Sequence, residues 1–260
     1  MERPNVARMY DYFLGGSHNF AVDRAAADEA IRSFPSAAAG ARTNRSFLRR
    51  AVRTLAEAGV DQFLDLGSGI PTVGNVHEIA RTVNPAARVV YVDIEPVAVA
   101  QSRAILLDIP HTAVVAADLR RPDQVLGHPD LRALLDPSRP VAVLMVAVLH
   151  FVPDSQNPAA VVAGYRDAVA PGSYLVVSHG SLEGLPEPER TDLRRAMAVY
   201  DRTPNPVVLR SRQRIGELLT GIDLLEPGLV QLRRWRPTSA PDENGECDGG
   251  FCAVGRVVRG

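Results

Sequence analysis

Two short segments hold the residues best suited to chemistry. In Phe63-Leu64-Asp65-Leu66-Gly67-Ser68-Gly69 an apolar run ends in an acid and a glycine-rich turn. In Val89-Val90-Tyr91-Val92-Asp93-Ile94 a second apolar run ends in another acid. Glycines at 67 and 69 let a ligand approach the main chain with no Cβ in the way. A carboxylate at the tip of the neighbouring strand can accept from both hydroxyls of a ribose. The pairing predicts a nucleoside cofactor at the carboxyl ends of two adjacent strands. Asp118 closes a third strand in Ala116-Ala117-Asp118-Leu119, placed to accept from an adenine amino group. His150 and His179 follow the fourth and fifth expected strands, at the end of an open α/β sheet where ligands sit. Each is a general-base candidate, and a hydrogen-bonded structural histidine fits either position as well.

Composition removes several classes. The 260 residues include 29 Lys+Arg, and every one is arginine. A P-loop needs its lysine, as do a pyridoxal Schiff base and lysine-based nucleophilic catalysis. The formal net charge is −1, with no basic tail, so no nucleic-acid footprint is expected. No apolar run is long enough to span a membrane. The start, Met1-Glu2-Arg3-Pro4, lacks an apolar signal region, so a cytoplasmic enzyme is expected. Cys247 and Cys252 are too few to build a metal site and read as two free thiols. Nothing in the sequence fixes an oligomeric state.

These residues need a scaffold, and the hydrophobic pattern supplies one. Strands are expected at 62–66, 88–93, 112–117, 141–148 and 173–178, alternating with helices. Val141–Val148 is apolar almost throughout, as in a strand buried on both faces of a parallel sheet. Leu229–Trp235 and Phe251–Val258 alternate as a terminal antiparallel pair around a polar loop, Pro237–Gly250. The expected architecture is a doubly wound, mostly parallel α/β sheet of seven strands ending in an antiparallel hairpin. A helix is expected from Asn44, with Arg49, Arg50 and Arg53 on a solvated face. Residues 1–43 form a separate helical segment rich in aromatics, a candidate lid, and 44–260 a single compact domain. The stretch 180–212 is expected to shape an acceptor pocket.

The dinucleotide fingerprint would place a third glycine where Pro71-Thr72 stands, which disfavours NAD. The acid just before the turn, with Asp93 and Asp118 closing the next two strands, resembles the class I S-adenosylmethionine-dependent methyltransferases, whose fold is Rossmann-like. A closer likeness rests on Arg8-Met9-Tyr10-Asp11-Tyr12-Phe13-Leu14-Gly15-Gly16, Asn19-Phe20-Ala21-Val22-Asp23-Arg24 and Asn44-Arg45-Ser46-Phe47-Leu48-Arg49-Arg50. It continues through Gly69-Ile70-Pro71-Thr72, Gly74-Asn75-Val76-His77-Glu78, Ala147-Val148-Leu149-His150-Phe151-Val152-Pro153-Asp154 and Pro171-Gly172-Ser173-Tyr174. Over nearly the whole chain this resembles the S-adenosyl methyltransferase family formerly called DUF574. The resemblance implies S-adenosylmethionine as cofactor and a small or medium acceptor. It implies that Gly67, Ser68 and Gly69 meet the methionyl part, with Asp65 near its amino group and Asn44 and Arg45 near its carboxylate. Asp93 would bind the ribose, Ile94 would pack on adenine, Asp118 and Leu119 would read its edge, and Ala147 and Val148 would line the sulfonium end. A regulatory protein that binds the cofactor without methylating anything, and an NAD-dependent oxidoreductase, are the alternative readings.

Overall fold

A computed structural model describes residues 3–71, 74–238 and 247–258. Thr72 and most of the expected 237–250 loop lie outside these described residues. Three helices come first: α1 (Val6–Phe13), α2 (Ala21–Ser33) and α3 (Ala37–Glu57). Asn5 caps α1, its side chain accepting from the Ala7 amide at 2.8 Å. Then follow β1 (Gln62–Leu66), α4 (Val76–Val83), β2 (Arg88–Asp93), α5 (Pro96–Ile105) and β3 (Thr112–Ala116). Two short helices, α6 (Pro122–Leu126) and α7 (Pro129–Leu134), lead to β4 (Ala142–Val146), α8 (Pro158–Ala168) and β5 (Tyr174–Gly180). The chain closes with α9 (Glu187–Tyr200), α10 (Arg212–Leu218), β6 (Asp223–Leu224), β7 (Val230–Gln231) and β8 (Gly250–Arg256).

The sheet runs β3-β2-β1-β4-β5-β8-β6, with β7 also paired to β8. β1 to β5 are parallel, and β8 lies antiparallel to β5 from Tyr174↔Arg256 to Gly180↔Gly250. The order reverses between β1 and β4, which opens a crevice at their carboxyl ends. Each central strand feeds two cores. Leu64, Val90, Val92, Val143 and Met145 face one, while Phe63, Val89, Tyr91, Ala142 and Leu144 face the other. Alternation between two apolar layers explains why these strands read as continuous hydrophobic runs.

Four expectations change. The sheet has eight strands, not seven, because the outer partner of β8 is split. Pro227-Gly228 interrupts it, leaving β6 and β7 as two-residue pieces. The run expected at 229–235 keeps only Val230–Gln231 as strand, and a 3-10 turn, Leu232–Arg234, follows. The helix expected from Asn44 starts at Ala37, so α3 crosses from the N-terminal segment into the rest of the chain. Arg50 is buried rather than solvated. Its Nε donates to the Trp235 carbonyl at 2.9 Å and its Nη2 to the Leu232 carbonyl at 2.6 Å. Those carbonyls sit in irregular chain between β7 and β8, and the guanidinium supplies donors that the sheet cannot.

Arg50→Met therefore strands two buried carbonyls. It should cost about 2–4 kcal/mol of unfolding free energy, read from urea denaturation. A loss below about 0.5 kcal/mol would show that water replaces the guanidinium there.

Candidate active site

The crevice begins with the turn after β1. Gly67 and Gly69 have φ of +68° and +62°, a region that side chains rarely tolerate. The amides of Gly67 and Ser68 donate to the Val92 carbonyl at 2.8 and 3.1 Å. The Gly69 amide donates to Asp93 Oδ2 at 2.7 Å. Asp93 Oδ1 accepts from the Glu95 amide at 2.9 Å. A carboxylate has about four lone-pair sites, so capacity remains for a ligand. Burial pushes the Asp93 pKa up, opposed by the amides of Glu95 and Gly69. Burial raises Asp65 to about 7, with the charge of Arg45 opposing and that of Asp93 adding. Ile94, beside Asp93, is 55% exposed and faces the cavity.

All the residues picked from sequence line one cavity of about 330 Å³. Asn44 and Arg45 come from α3, Asp65 from β1, and Gly67, Ser68 and Gly69 from the turn. Asp93 and Ile94 end β2, Asp118 and Leu119 follow β3, Ala147, Val148 and His150 follow β4, and His179 lies near the end of β5. The N-terminal helices add Tyr10, Phe13, Phe34 and Ala41. The 180–212 stretch adds Leu193, Met197, Tyr200, Val207 and Leu209.

Several polar groups on these walls are paired with each other. Ser178 Oγ donates to Asn44 Oδ1 at 2.5 Å and accepts from the Ala147 amide at 2.8 Å. Asn44 Nδ2 donates to the Tyr10 hydroxyl at 2.9 Å, which donates to the Ala41 carbonyl at 3.1 Å. Ala147 has φ of +55°, a strained conformation for alanine, held in place by this chain. Asp118 is gripped by Arg120 through Nε and Nη2, at 2.8 and 2.7 Å. Burial pushes the Asp118 pKa up, but the hydrogen bonds and charge of Arg120 outweigh it, and the net shift is downward.

The two histidines differ. His179 Nε2 accepts from Arg210 Nη1 at 2.8 Å, so Nδ1 carries the proton and donates to the Gly180 carbonyl at 2.8 Å. Both nitrogens are engaged, and burial lowers the pKa to about 4, with the Gly180 bond opposing and Arg210 adding. His150 is half-buried and faces the cavity. Its Nδ1 accepts from the Gly180 amide at 3.4 Å, which leaves the proton on Nε2. Burial, then the charges of His179 and Arg210, hold it well below the usual histidine range. Arg210 was not visible in the sequence as a site residue. It also donates to the Leu149 and Val152 carbonyls at 3.1 and 2.8 Å and to Asp154 at 2.6 Å. It thereby fixes the whole segment after β4.

N-terminal helices and crevice are joined by charge. Arg8, buried, pairs with Asp23 at 2.7 Å and with Glu95 at 3.1 Å. Glu95 also caps α5, accepting from the Ala98 amide at 2.6 Å. No group of side chains that could hold a metal occurs among the described residues. No helix among them is long and apolar enough to cross a membrane.

The depressed His179 pKa has a stability consequence. In the unfolded chain the imidazole protonates near 6.5, and in the folded chain only near 4. Stability from this group is complete above pH 6.5 and is lost as pH falls toward 4. The loss is on the order of 3 kcal/mol. Urea midpoints compared at about pH 7 and about pH 4.5 should fall with acid. The fall should be shallower in His179→Asn, and an unchanged slope would contradict this origin.

The geometry can be compared with known proteins. A family model described as S-adenosyl methyltransferase matches residues 1–258. A candidate methyltransferase of Thermobifida fusca YX is 42% identical, with 99% of this chain and 96% of that chain covered and a TM-score of 0.89. A DUF574 family protein of Streptomyces avermitilis ma-4680 is 38% identical, with 98% of each chain covered and a TM-score of 0.89. No curated protein matches the sequence. The mostly parallel sheet, the glycine turn and the two strand-end acids agree with this likeness, and the NAD reading falls. The chain belongs to the S-adenosyl methyltransferase family and is an S-adenosylmethionine-dependent methyltransferase.

Proposed function

We propose that the protein methylates a small molecule, and that the single cavity described above holds donor and acceptor side by side. One observation carries this reading: the nucleoside-type crevice at β1, β2 and β3 is continuous with an apolar compartment under α1, α2 and α9. The crevice residues fit S-adenosylmethionine. Two positive-φ glycines leave main chain bare, Asp93 has lone pairs to spare, and Arg45 Nε is buried without a hydrogen-bond partner.

In this reading Gly67, Ser68 and Gly69 meet the methionyl part, and Asp65 takes the ammonium. Arg45, with the second amide hydrogen of Asn44, takes the carboxylate. Asp93 binds the ribose hydroxyls, Ile94 packs on adenine, and Asp118 and Leu119 read its edge. Ala147 and Val148 line the sulfonium end. His150 meets the acceptor, and His179, whose ring packs edge-on to it at 5.5 Å, holds it in place. When bound, the cofactor supplies a methyl group already activated by the sulfonium charge. The chain's own work is to align the acceptor and exclude water. Alignment can supply about 7–11 kcal/mol in ideal intramolecular cases. Within residues 1–43, α1 and α2 serve as the lid over the rest of the chain, tied down where Arg8 meets Glu95.

A calorimetric titration with S-adenosylmethionine, against NAD as control, tests the site. Saturable binding of the first and none of the second is expected. Ammonium binding needs Asp65 ionised, and its pKa is about 7. Affinity should fall roughly tenfold from about pH 8 to about pH 6. Asp65→Asn should bind weakly at both. Binding of NAD alone would overturn the reading. Glu95→Gln keeps the α5 cap but weakens the tie to Arg8. It should speed release of S-adenosylhomocysteine by up to roughly tenfold, about 1.4 kcal/mol. An unchanged rate would separate the N-terminal helices from closure.

A further inference from the structure

The acceptor side of the cavity has a chemistry of its own. Its wall is built from Phe34, Leu193, Met197, Tyr200, Val207 and Leu209. All of these but Val207 belong to two small apolar clusters that bring α2, α3 and α9 together, apart from the two cores of the sheet. Charged side chains are scarce here. Asp11 reaches the cavity, but its carboxylate accepts from the His18 amide at 2.8 Å and from Asn19 Nδ2 at 2.9 Å. The other charged groups that line the cavity come from elsewhere in the fold: Arg45 from α3, Asp65 and Asp93 from β1 and β2, and Glu95, Asp118 and Arg120 from the segments just after β2 and β3. The polar groups left on the acceptor wall are neutral. The Tyr200 hydroxyl stays protonated, its pKa raised to about 12 by burial. Asn205 is an amide. His150 presents Nε2–H, since its Nδ1 accepts from Gly180.

Resting on the methyltransfer reading above, we infer that the acceptor is an uncharged, largely apolar ring or chain whose one oxygen accepts a hydrogen bond from His150 with one lone pair and keeps the other for the methyl group. A carboxylate, phosphate or ammonium on the acceptor would be stripped of water with no opposite charge to meet it, which is unfavourable in an apolar wall. A neutral acceptor also keeps the charge balance. Its lone pair forms the bond to the methyl carbon while the carbon–sulfur electron pair stays on sulfur. The positive charge passes from sulfur to the acceptor oxygen, and its O–H proton, where there is one, leaves to solvent as the product reaches the mouth of the cavity. His150 as a neutral donor orients that atom and takes no proton from it.

Three probes with the same ring separate the possibilities: 2-naphthol, 2-naphthoate and 2-naphthylmethylamine, neutral, anionic and cationic at neutral pH. Ring fluorescence is titrated with protein, with and without S-adenosylhomocysteine, whose own binding is measured first by calorimetry. 2-Naphthol should bind saturably and at least roughly tenfold more tightly than either charged probe. Met197→Arg, which places a cation on the wall, should shift the preference toward 2-naphthoate. If Met197→Arg does not fold, the ranking by the unaltered protein stands as the test. Equal or tighter binding of a charged probe, or no saturable binding of 2-naphthol, would overturn the inference. Failure of S-adenosylhomocysteine to bind while 2-naphthol saturates would sink the cofactor reading, and with it the acceptor role, and leave only a compartment that prefers neutral rings.

Discussion

The site depends on how the tip of β2 holds the turn after β1. Val92 offers its carbonyl to two successive amides of the turn, and Asp93 offers its carboxylate to the third. These bonds are possible only because β1 and β2 are adjacent and in parallel register, with Leu66 opposite Val92. The main chain of Gly67–Gly69 is therefore shaped before any ligand arrives. The carboxylate that shapes it is also the one available to a ribose. A preorganised turn avoids the cost of ordering a loop on binding.

The opposite wall is built by a different kind of constraint. Asn44, Ser178 and Ala147 bond in sequence, so helix α3 is tied to the ends of β4 and β5. Arg210 does the same for the segment after β4, binding two carbonyls, a carboxylate and His179. Such networks rigidify a site when every member is satisfied. They also consume its polar groups, and so the acceptor compartment is apolar even though polar residues surround it. The bonds that rigidify the site are thus the ones that occupy its polar groups.

The central strands were legible because their signal is local. β1 and β2 begin and end where the apolar runs do, and the acids at their tips fall in the crevice. The strand pairing with β8 was visible at Phe251 but blurred at 229–235, where Pro227-Gly228 breaks the pattern. Buried arginines were hidden for a different reason. Arg50 finds its partners at Leu232 and Trp235, and Arg210 finds His179 and Leu149, all distant in sequence. No periodicity marks an arginine whose partners are carbonyls elsewhere in the fold. On α3, Arg49, Arg50 and Arg53 look alike in sequence, and only packing tells them apart. The histidines followed the same rule: the place of His150 after β4 was readable, His179 proved to lie within β5, and the tautomer of each is set by Gly180 and Arg210.

A crystal structure with S-adenosylhomocysteine bound is the decisive measurement, because the site is defined by position. Ribose hydroxyls are expected on Asp93 with the Gly69 amide still bound to that carboxylate, adenine against Ile94, and the sulfur facing Val148 and the His150 compartment. A nucleoside lying elsewhere, or a glycine turn that must unfold from β2 to admit it, would rule out a turn preshaped for the cofactor.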